Sequence, residues 1–309
     1  MKLEEIKFPS AQDAFPIAVW VALPEEKTIK AVFQISHGMS EHKGRYRKLM
    51  EYLCQNGFAC IIHDHRGHGE SIRTREDYGY FYQNGVHSLV EDLHQVTLYA
   101  KKRFPNLPFF LFGHSMGSMV VRSYLKKYDG ELDGLIVCGS PSYNPAAGAG
   151  RALAGVIGAL RGGRHRSGFL QELSFGSFHK KFGETQSKNS WISSQDVEVQ
   201  AYENDPQCGF VFTANGFRNL YKLMQNTYSS KGWELHHPDL PIYFISGGDD
   251  PCLINEKKFK QAVAFLKECG YTDVSSKLYP GKRHEILNED IRDQVFEDIK
   301  DFCEAHICG

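Results

Sequence analysis

Pro108-Phe109-Phe110-Leu111-Phe112-Gly113-His114-Ser115-Met116-Gly117 decides how this chain folds. Its apolar start reads as a buried strand, it runs straight into Gly-x-Ser-x-Gly, and helical spacing follows from Ser118 to Tyr128. A strand that turns abruptly into a helix leaves little room beside the corner residue. Glycines at both ends of the pentapeptide let the backbone close and hold the Ser115 hydroxyl out above a sheet. The helix start also presents free N–H groups to any negative charge that develops there. Ser115 is therefore the expected nucleophile, and the Met116 N–H an expected oxyanion donor. Such a pentapeptide arises by chance in turns; its place between strand and helix gives it meaning.

The same alternation extends outward. Ala31 to Ile35, Phe58 to Ile62, Leu135 to Cys138 and Ile242 to Ile245 are short apolar runs suited to buried parallel strands. Val86 to Phe104 and Glu256 to Cys269 carry helical spacing. Ile17 to Leu23 is expected as an antiparallel edge strand, Val274 to Leu278 as the last strand, and Asp290 to His306 as a C-terminal helix. Together these predict a mostly parallel, doubly wound α/β sheet. The alternation fails between Ser142 and His237, which predicts an inserted helical cap at residues 142–237 over a core of residues 1–141 and 238–309. Such a cap covers the C-terminal edge of the sheet, where ligands bind in open α/β folds.

A serine hydroxyl needs an imidazole base, itself oriented by a carboxylate, and where the serine sits on such a turn the chain order is serine, acid, histidine. Downstream, Ser246-Gly247-Gly248-Asp249-Asp250-Pro251 follows a strand and offers two adjacent carboxylates, Asp249 and Asp250. Gly281-Lys282-Arg283-His284-Glu285 follows the last strand, so His284 is the expected base. A second oxyanion donor comes from the loop His37 to His42, with the Met39 N–H as candidate. His37 itself is expected to brace that loop. His63-Asp64-His65-Arg66-Gly67-His68 has the look of a dinuclear metal site, but Gly67 stands where an Asp before the final histidine is required, so no metal is expected.

These motifs resemble one family closely, the monoacylglycerol lipase and lysophospholipase group of α/β-hydrolases. The resemblance is carried by GHSMGS (Gly113 to Ser118), HGMSEHKGRY (His37 to Tyr46) and HDHRGHGES (His63 to Ser71) in the right order, then by Asn204 to Phe210 and Leu278 to Glu285. It implies the α/β-hydrolase fold, a D-x-R-G-x-G-x-S loop at Asp64 to Ser71, and Asp250 as the acid, since the family places that carboxylate three residues after the glycine and before a proline; Asp249 is the alternative. It implies hydrolysis of monoacylglycerols, lysophospholipids or simple carboxylic esters through an acyl-enzyme, with no cofactor. Thioesterase, small-peptide peptidase, acyltransferase and a ligand receptor on a hydrolase scaffold are the alternatives. Nucleophile type disfavours dehalogenases and epoxide hydrolases, which use Asp.

The resemblance weakens from Tyr143 to Gln186, where the substrate is chosen. Ala146 to Leu160 is small and apolar, and Arg161, Arg164 and Arg166 follow it. Two readings stay open: a mobile lid that makes transient contact with a membrane or micelle, or a helix packed inside the cap. Leu153, Val156, Ile157, Leu160, Phe210 and Phe212 are the candidate substrate-binding side chains. Trp191 and Phe217 are further aromatics of the cap, each expected either there or in its core.

The chain of 309 residues has 36 Lys+Arg against 37 Asp+Glu, a formal net charge of -1, which supplies no general attraction for nucleic acid. Acidic residues stand at the N-terminus where a signal peptide would need a basic start and an apolar run, so none is expected there, and no apolar stretch reaches a membrane span of roughly 20 residues. Eight cysteines without a CxxC pair, Cys303 and Cys308 being closest together near a terminus, are expected to be free thiols of a cytoplasmic protein.

Overall fold

The computed structural model describes residues 1–183 and 187–307; Cys308 and the end of the 143–186 stretch lie outside them. Eight strands form one sheet: β1 (Lys2–Pro9), β2 (Pro16–Leu23), β3 (Ala31–Ser36), β4 (Phe58–His63), β5 (Phe109–His114), β6 (Gly134–Cys138), β7 (Ile242–Gly247) and β8 (Val274–Tyr279). Their spatial order is β1-β2-β4-β3-β5-β6-β7-β8. From β4 to β8 every pairing is parallel, and β2 alone runs against both its neighbours. Strands β3, β4, β5 and β6 are buried along their whole length, which is why their sequences are continuously apolar.

One expectation is corrected here. Ile17 to Leu23 is antiparallel but is not the edge, because Lys2–Pro9 pairs outside it. The sequence of β1, KLEEIKFP, places lysine and glutamate on an edge that faces water, and its half-buried Leu3, Ile6 and Phe8 pack against the core. Charges on an edge strand blunt edge-to-edge association, and they also hide the strand from a search for apolar runs.

Nine helices are present among the described residues. On one face α2 (Gly85–Arg103), α3 (Met116–Tyr128) and α8 (Glu256–Glu268) share an apolar cluster with the sheet. On the other, α1 (Arg47–Gln55) and α9 (Arg292–Ala305) do so. After β6 the chain leaves the sheet through α4 (Ala147–Arg161), α5 (Gly168–Phe175), α6 (Asp196–Asn204) and α7 (Ala214–Thr227), and it rejoins at β7. In this excursion α4 packs on α7, and α7 rests on α3 and α2.

Register aligns the C-terminal ends of the parallel strands. Ser36 pairs with Gly113, His114 with Cys138, and Gly247 with Tyr279. The chain crosses from β4, on one side of β3, to β5 on the other, so the loops after β3 and β5 open the crevice where open α/β sheets bind ligands. No helix among the described residues is long and apolar enough to cross a membrane. Cys54, Cys60, Cys138, Cys208, Cys252, Cys269 and Cys303 are all free thiols.

Candidate active site

Ser115 sits at the corner between β5 and α3 with φ 53° and ψ -116°, a left-handed conformation that a non-glycine residue adopts only when its surroundings hold it there. The surroundings are unusually close. A Cβ on Gly117 would meet the Ser36 carbonyl oxygen at 2.1 Å, and one on Gly113 would meet the Gly117 carbonyl oxygen at 2.6 Å. Both glycines are thus dictated by packing, and the loop after β3 is pressed against the start of α3. Ser115 N–H donates to the Cys138 carbonyl at 3.0 Å, which ties the corner to β6.

Asp250 and His284 come together across 34 residues of sequence. His284 Nδ1 donates to Asp250 Oδ2 at 2.8 Å, while Asp250 also accepts from the Ser246 hydroxyl at 3.1 Å and the Cys252 N–H at 2.8 Å. Both side chains are buried. Asp249 points the other way: it is half-exposed and pairs with Lys181 at 3.3 Å. Burial alone would lower the His284 pKa, yet the charge and hydrogen bond of Asp250, with Glu285 and Glu41 nearby, raise it above the ordinary 6.5. The ring is thereby fixed with its proton on Nδ1, leaving Nε2 free to take another.

Ser115, His284, Met39 and Met116 all line one cavity of about 780 Å³. Of the candidate substrate contacts, Leu153 and Phe210 also line it. The others do not, and the expectation for them is corrected. Val156 is 56% and Leu160 80% exposed on the solvent side of α4, Phe212 is fully buried in the core, and Ile157 packs against that core. Of the remaining aromatics Trp191 lines the cavity, its ring 4.9 Å from that of His284, and Phe217 is core.

Residues 27–291 match the family described as serine aminopeptidase, S33. The chain belongs to that family. Among its relatives, the monoacylglycerol lipase of Mycolicibacterium smegmatis is 26% identical over 279 residues, 90% of this chain and 89% of that one. Human monoglyceride lipase is 27% identical over 278 residues, 88% and 82% of the two chains. The solved structure of a thermostable carboxyl esterase from Bacillus coagulans, in complex with glycerol, superposes with a TM-score of 0.91 at 29% identity over 100% of both chains. This S33-family chain is thus an α/β-hydrolase, monoacylglycerol lipase-like, and a carboxylic ester hydrolase.

Around the S33 site lies a polar network that sequence reasoning left without a role. Glu41 Oε1 accepts from the Gly38 N–H at 2.5 Å and from the Tyr46 hydroxyl at 2.8 Å. Its other oxygen accepts from Arg45 at 3.0 Å, and Arg45 donates in fork geometry to Glu285 at 2.6 and 2.8 Å. His114 spans Glu41 (3.4 Å) and the His284 carbonyl (3.3 Å). Burial alone would raise the Glu41 carboxyl, but the His114 hydrogen bond and the Arg45 charge hold it well below the carboxylate range. The network locks the loop after β3 to the loop that carries His284. Sequence held only part of its signal: Glu41, Arg45 and Tyr46 are close together beside the loop, but Glu285 is 240 residues from Arg45 and no spacing links them.

The excursion reaches the same loop. His284 N–H and Glu285 N–H donate to the carbonyls of Trp191 and Ile192 at 3.4 and 2.7 Å. His37 braces the loop after β3: its Nδ1 donates to the Gly38 carbonyl at 2.8 Å and its Nε2 accepts from the His65 N–H at 2.9 Å, so neither ring nitrogen can move a proton. Asp64 accepts from Lys43 N–H (2.8 Å), Lys43 Nζ (2.7 Å) and Glu70 N–H (2.8 Å), a joint between two loops. Burial pushes His63 and His68 down to about 3, leaving both neutral. Among the described residues, potential metal ligands gather at His42, Asp205 and Cys208 and at Asp250, Cys252 and His284, and not at the three histidines of that loop. At the first group His42 Nδ1 accepts from Gly44 N–H, so its Nε2 carries the proton it donates to Asp205 and offers no lone pair.

Proposed function

We propose that this ester hydrolase cleaves long-chain monoesters of small alcohols, monoacylglycerols first and lysophospholipids second, through a covalent acyl-enzyme. Ser115 attacks the ester carbonyl while His284 Nε2 takes its proton, Asp250 holds the imidazole tautomer, and the N–H groups of Met39 and Met116 receive the oxyanion. His284 then protonates the leaving alcohol, and water releases the fatty acid by the same route. Residues 142–237 act as the cap that encloses the acyl chain.

The observation that carries this reading is the cavity itself. Its volume of about 780 Å³ falls inside the roughly 300–1,000 Å³ of sites that bury a whole small ligand. Besides Ser115 and His284 its wall includes Met39, Met119, Leu153, Phe210 and Met224, which suit an acyl chain, beside polar side chains such as Asn144, Gln171 and Asn189 that suit a small-alcohol head group. The names of the relatives support the same substrate class. Access from a membrane or micelle is part of the proposal: Val156, Leu160, Phe169 and Leu173 expose apolar surface on α4 and α5. Of the basic residues beside them, Arg164 pairs with Asp77, whereas Arg166 donates to the neutral Val211 carbonyl, so electrostatic attraction to an anionic surface rests chiefly on Arg161 and Arg166.

Initial rates on 1-monoacylglycerols of increasing length, a lysophosphatidylcholine, a triacylglycerol, a short p-nitrophenyl ester and an aminoacyl naphthylamide test it. A preference for a monoacylglycerol with a defined chain-length optimum is expected. Turnover of the short ester alone would reduce the reading to a general carboxylesterase, and turnover of the naphthylamide would replace it with a peptidase.

A further inference from the structure

Arg122, on the second turn of α3 beyond Ser115, is fully buried. A guanidinium carries five N–H donors and stays charged, so in a protein interior it is expected to face a carboxylate. This one does not. Its Nη1 donates weakly to the Ser140 hydroxyl at 3.3 Å, while Nε and Nη2 have no partner among the described residues. The rings of Tyr228 and Phe244 lie 4.4 and 5.6 Å from the guanidinium carbon, which favours the cation but adds no negative charge.

Lys126, one turn further along the same face, is also buried without a carboxylate; its ammonium donates to the carbonyls of Ser229 and Lys231 at 2.9 and 3.0 Å. Two buried cations one helical turn apart therefore have no ion-pair partner among the described residues. A second unpartnered group follows two residues after Ser140 in the chain. The Ser142 hydroxyl is buried with no partner among the described residues, next to Pro141, whose carbonyl accepts from the Tyr228 hydroxyl at 2.7 Å. Buried polar atoms are normally paired, and an uncompensated buried ion is strongly unfavourable. Water can satisfy N–H donors but cannot neutralise the charge.

We propose that a small monovalent anion of the chloride class binds beside Arg122, held by Nε and Nη2 and by the Ser142 hydroxyl. Complete enclosure of the guanidinium limits the occupant to an inorganic ion and excludes a lipid head group. Bound there, the ion fixes the Pro141–Ser142 turn, and Pro141 and Ser142 both form part of the cavity wall that faces Ser115. The site thus links anion binding to the shape of the cavity without touching the reacting groups.

Thermal unfolding of the full chain in sodium chloride against sodium gluconate at constant ionic strength tests this, gluconate being too large to enter. The wild type is expected to show a saturable rise in Tm of about 2 °C or more with chloride, the mark of a ligand that binds only the native state. Arg122→Met, which removes the charge and keeps an unbranched apolar chain, is expected to lose that response. Superimposed chloride and gluconate curves, or an equal response in Arg122→Met, would overturn the proposal. Should that variant not fold, crystals of the wild type grown in sodium bromide decide: an anomalous peak in contact with Arg122 supports the site, and water alone there removes it.

Discussion

Two neighbouring carboxylates show how much a single position can decide. Asp250 is buried and hydrogen-bonded to His284, whereas Asp249 is half-exposed and paired with Lys181. Asp250→Asn is expected to cut kcat severely, and Asp249→Asn to leave it within a factor of about two, since an exposed pair is worth only about 0–1 kcal/mol. Loss of Ser115 or His284 is expected to cost on the order of 10³ to 10⁶ in kcat, with no sum of effects in the double variant because the groups act as a unit. Steady-state kinetics on one ester checks all four. The sequence offered both aspartates as equals, and only the family spacing favoured Asp250; which one faces the base depends on how the loop after β7 turns.

In the proposed mechanism His284 also sets the pH dependence. It must be neutral to act as base, and its pKa lies above 6.5, so kcat/KM is expected to fall on the acid side with an apparent pKa above that value. Its effect on folding has the other sense. A group whose folded pKa is raised contributes stability that is present below its unfolded pKa and is lost as pH rises through the folded one. Glu285 is one cause of the upward shift, so Glu285→Gln is expected to move the acid limb of the profile toward lower pH.

At the scale of elements, the loops after β3 and β8 behave as one unit because Arg45 joins Glu41 to Glu285. Arg45→Lys keeps the charge but loses the fork, and it is expected to lower kcat by about tenfold or more with little change in KM, since the alignment of the reacting groups suffers and the acyl site does not. An unaltered kcat would mean that the network is only structural. Helix α4 offers the complementary test. Leu153 lines the cavity while Val156 and Leu160 face solvent. Leu153→Trp is expected to shorten the preferred acyl chain, and Val156→Ser with Leu160→Ser to leave hydrolysis of a short, water-soluble ester unchanged. Sequence offered little to orient this helix: AGAGRALAGVIGALR has only Arg151 and Arg161 to mark a solvent side, and its buried positions Ala147, Gly150 and Ala154 are small, as are several of its exposed ones.

For the whole molecule, the central sheet was legible because parallel strands covered on both faces must be apolar throughout, as β3 to β6 are. The corner at Ser115 was legible because close packing leaves Gly113 and Gly117 no substitute. Strand β1 was not, since an exposed edge tolerates Lys2, Glu5 and Lys7. Nor were the polar network and the cavity wall, which join residues as distant as Arg45 and Glu285; spacing along the chain carries no record of such contacts. Sequence thus reports what each local segment needs, and the site depends on what several loops do together.

The central claim is that Ser115 is the nucleophile of this ester hydrolase. Treatment of the purified protein with a fluorophosphonate, followed by peptide mass spectrometry, tests it most directly. The account predicts one adduct, on the peptide that contains Ser115, with labelling much slowed in His284→Ala. An unlabelled protein, or an adduct on another residue, would contradict it.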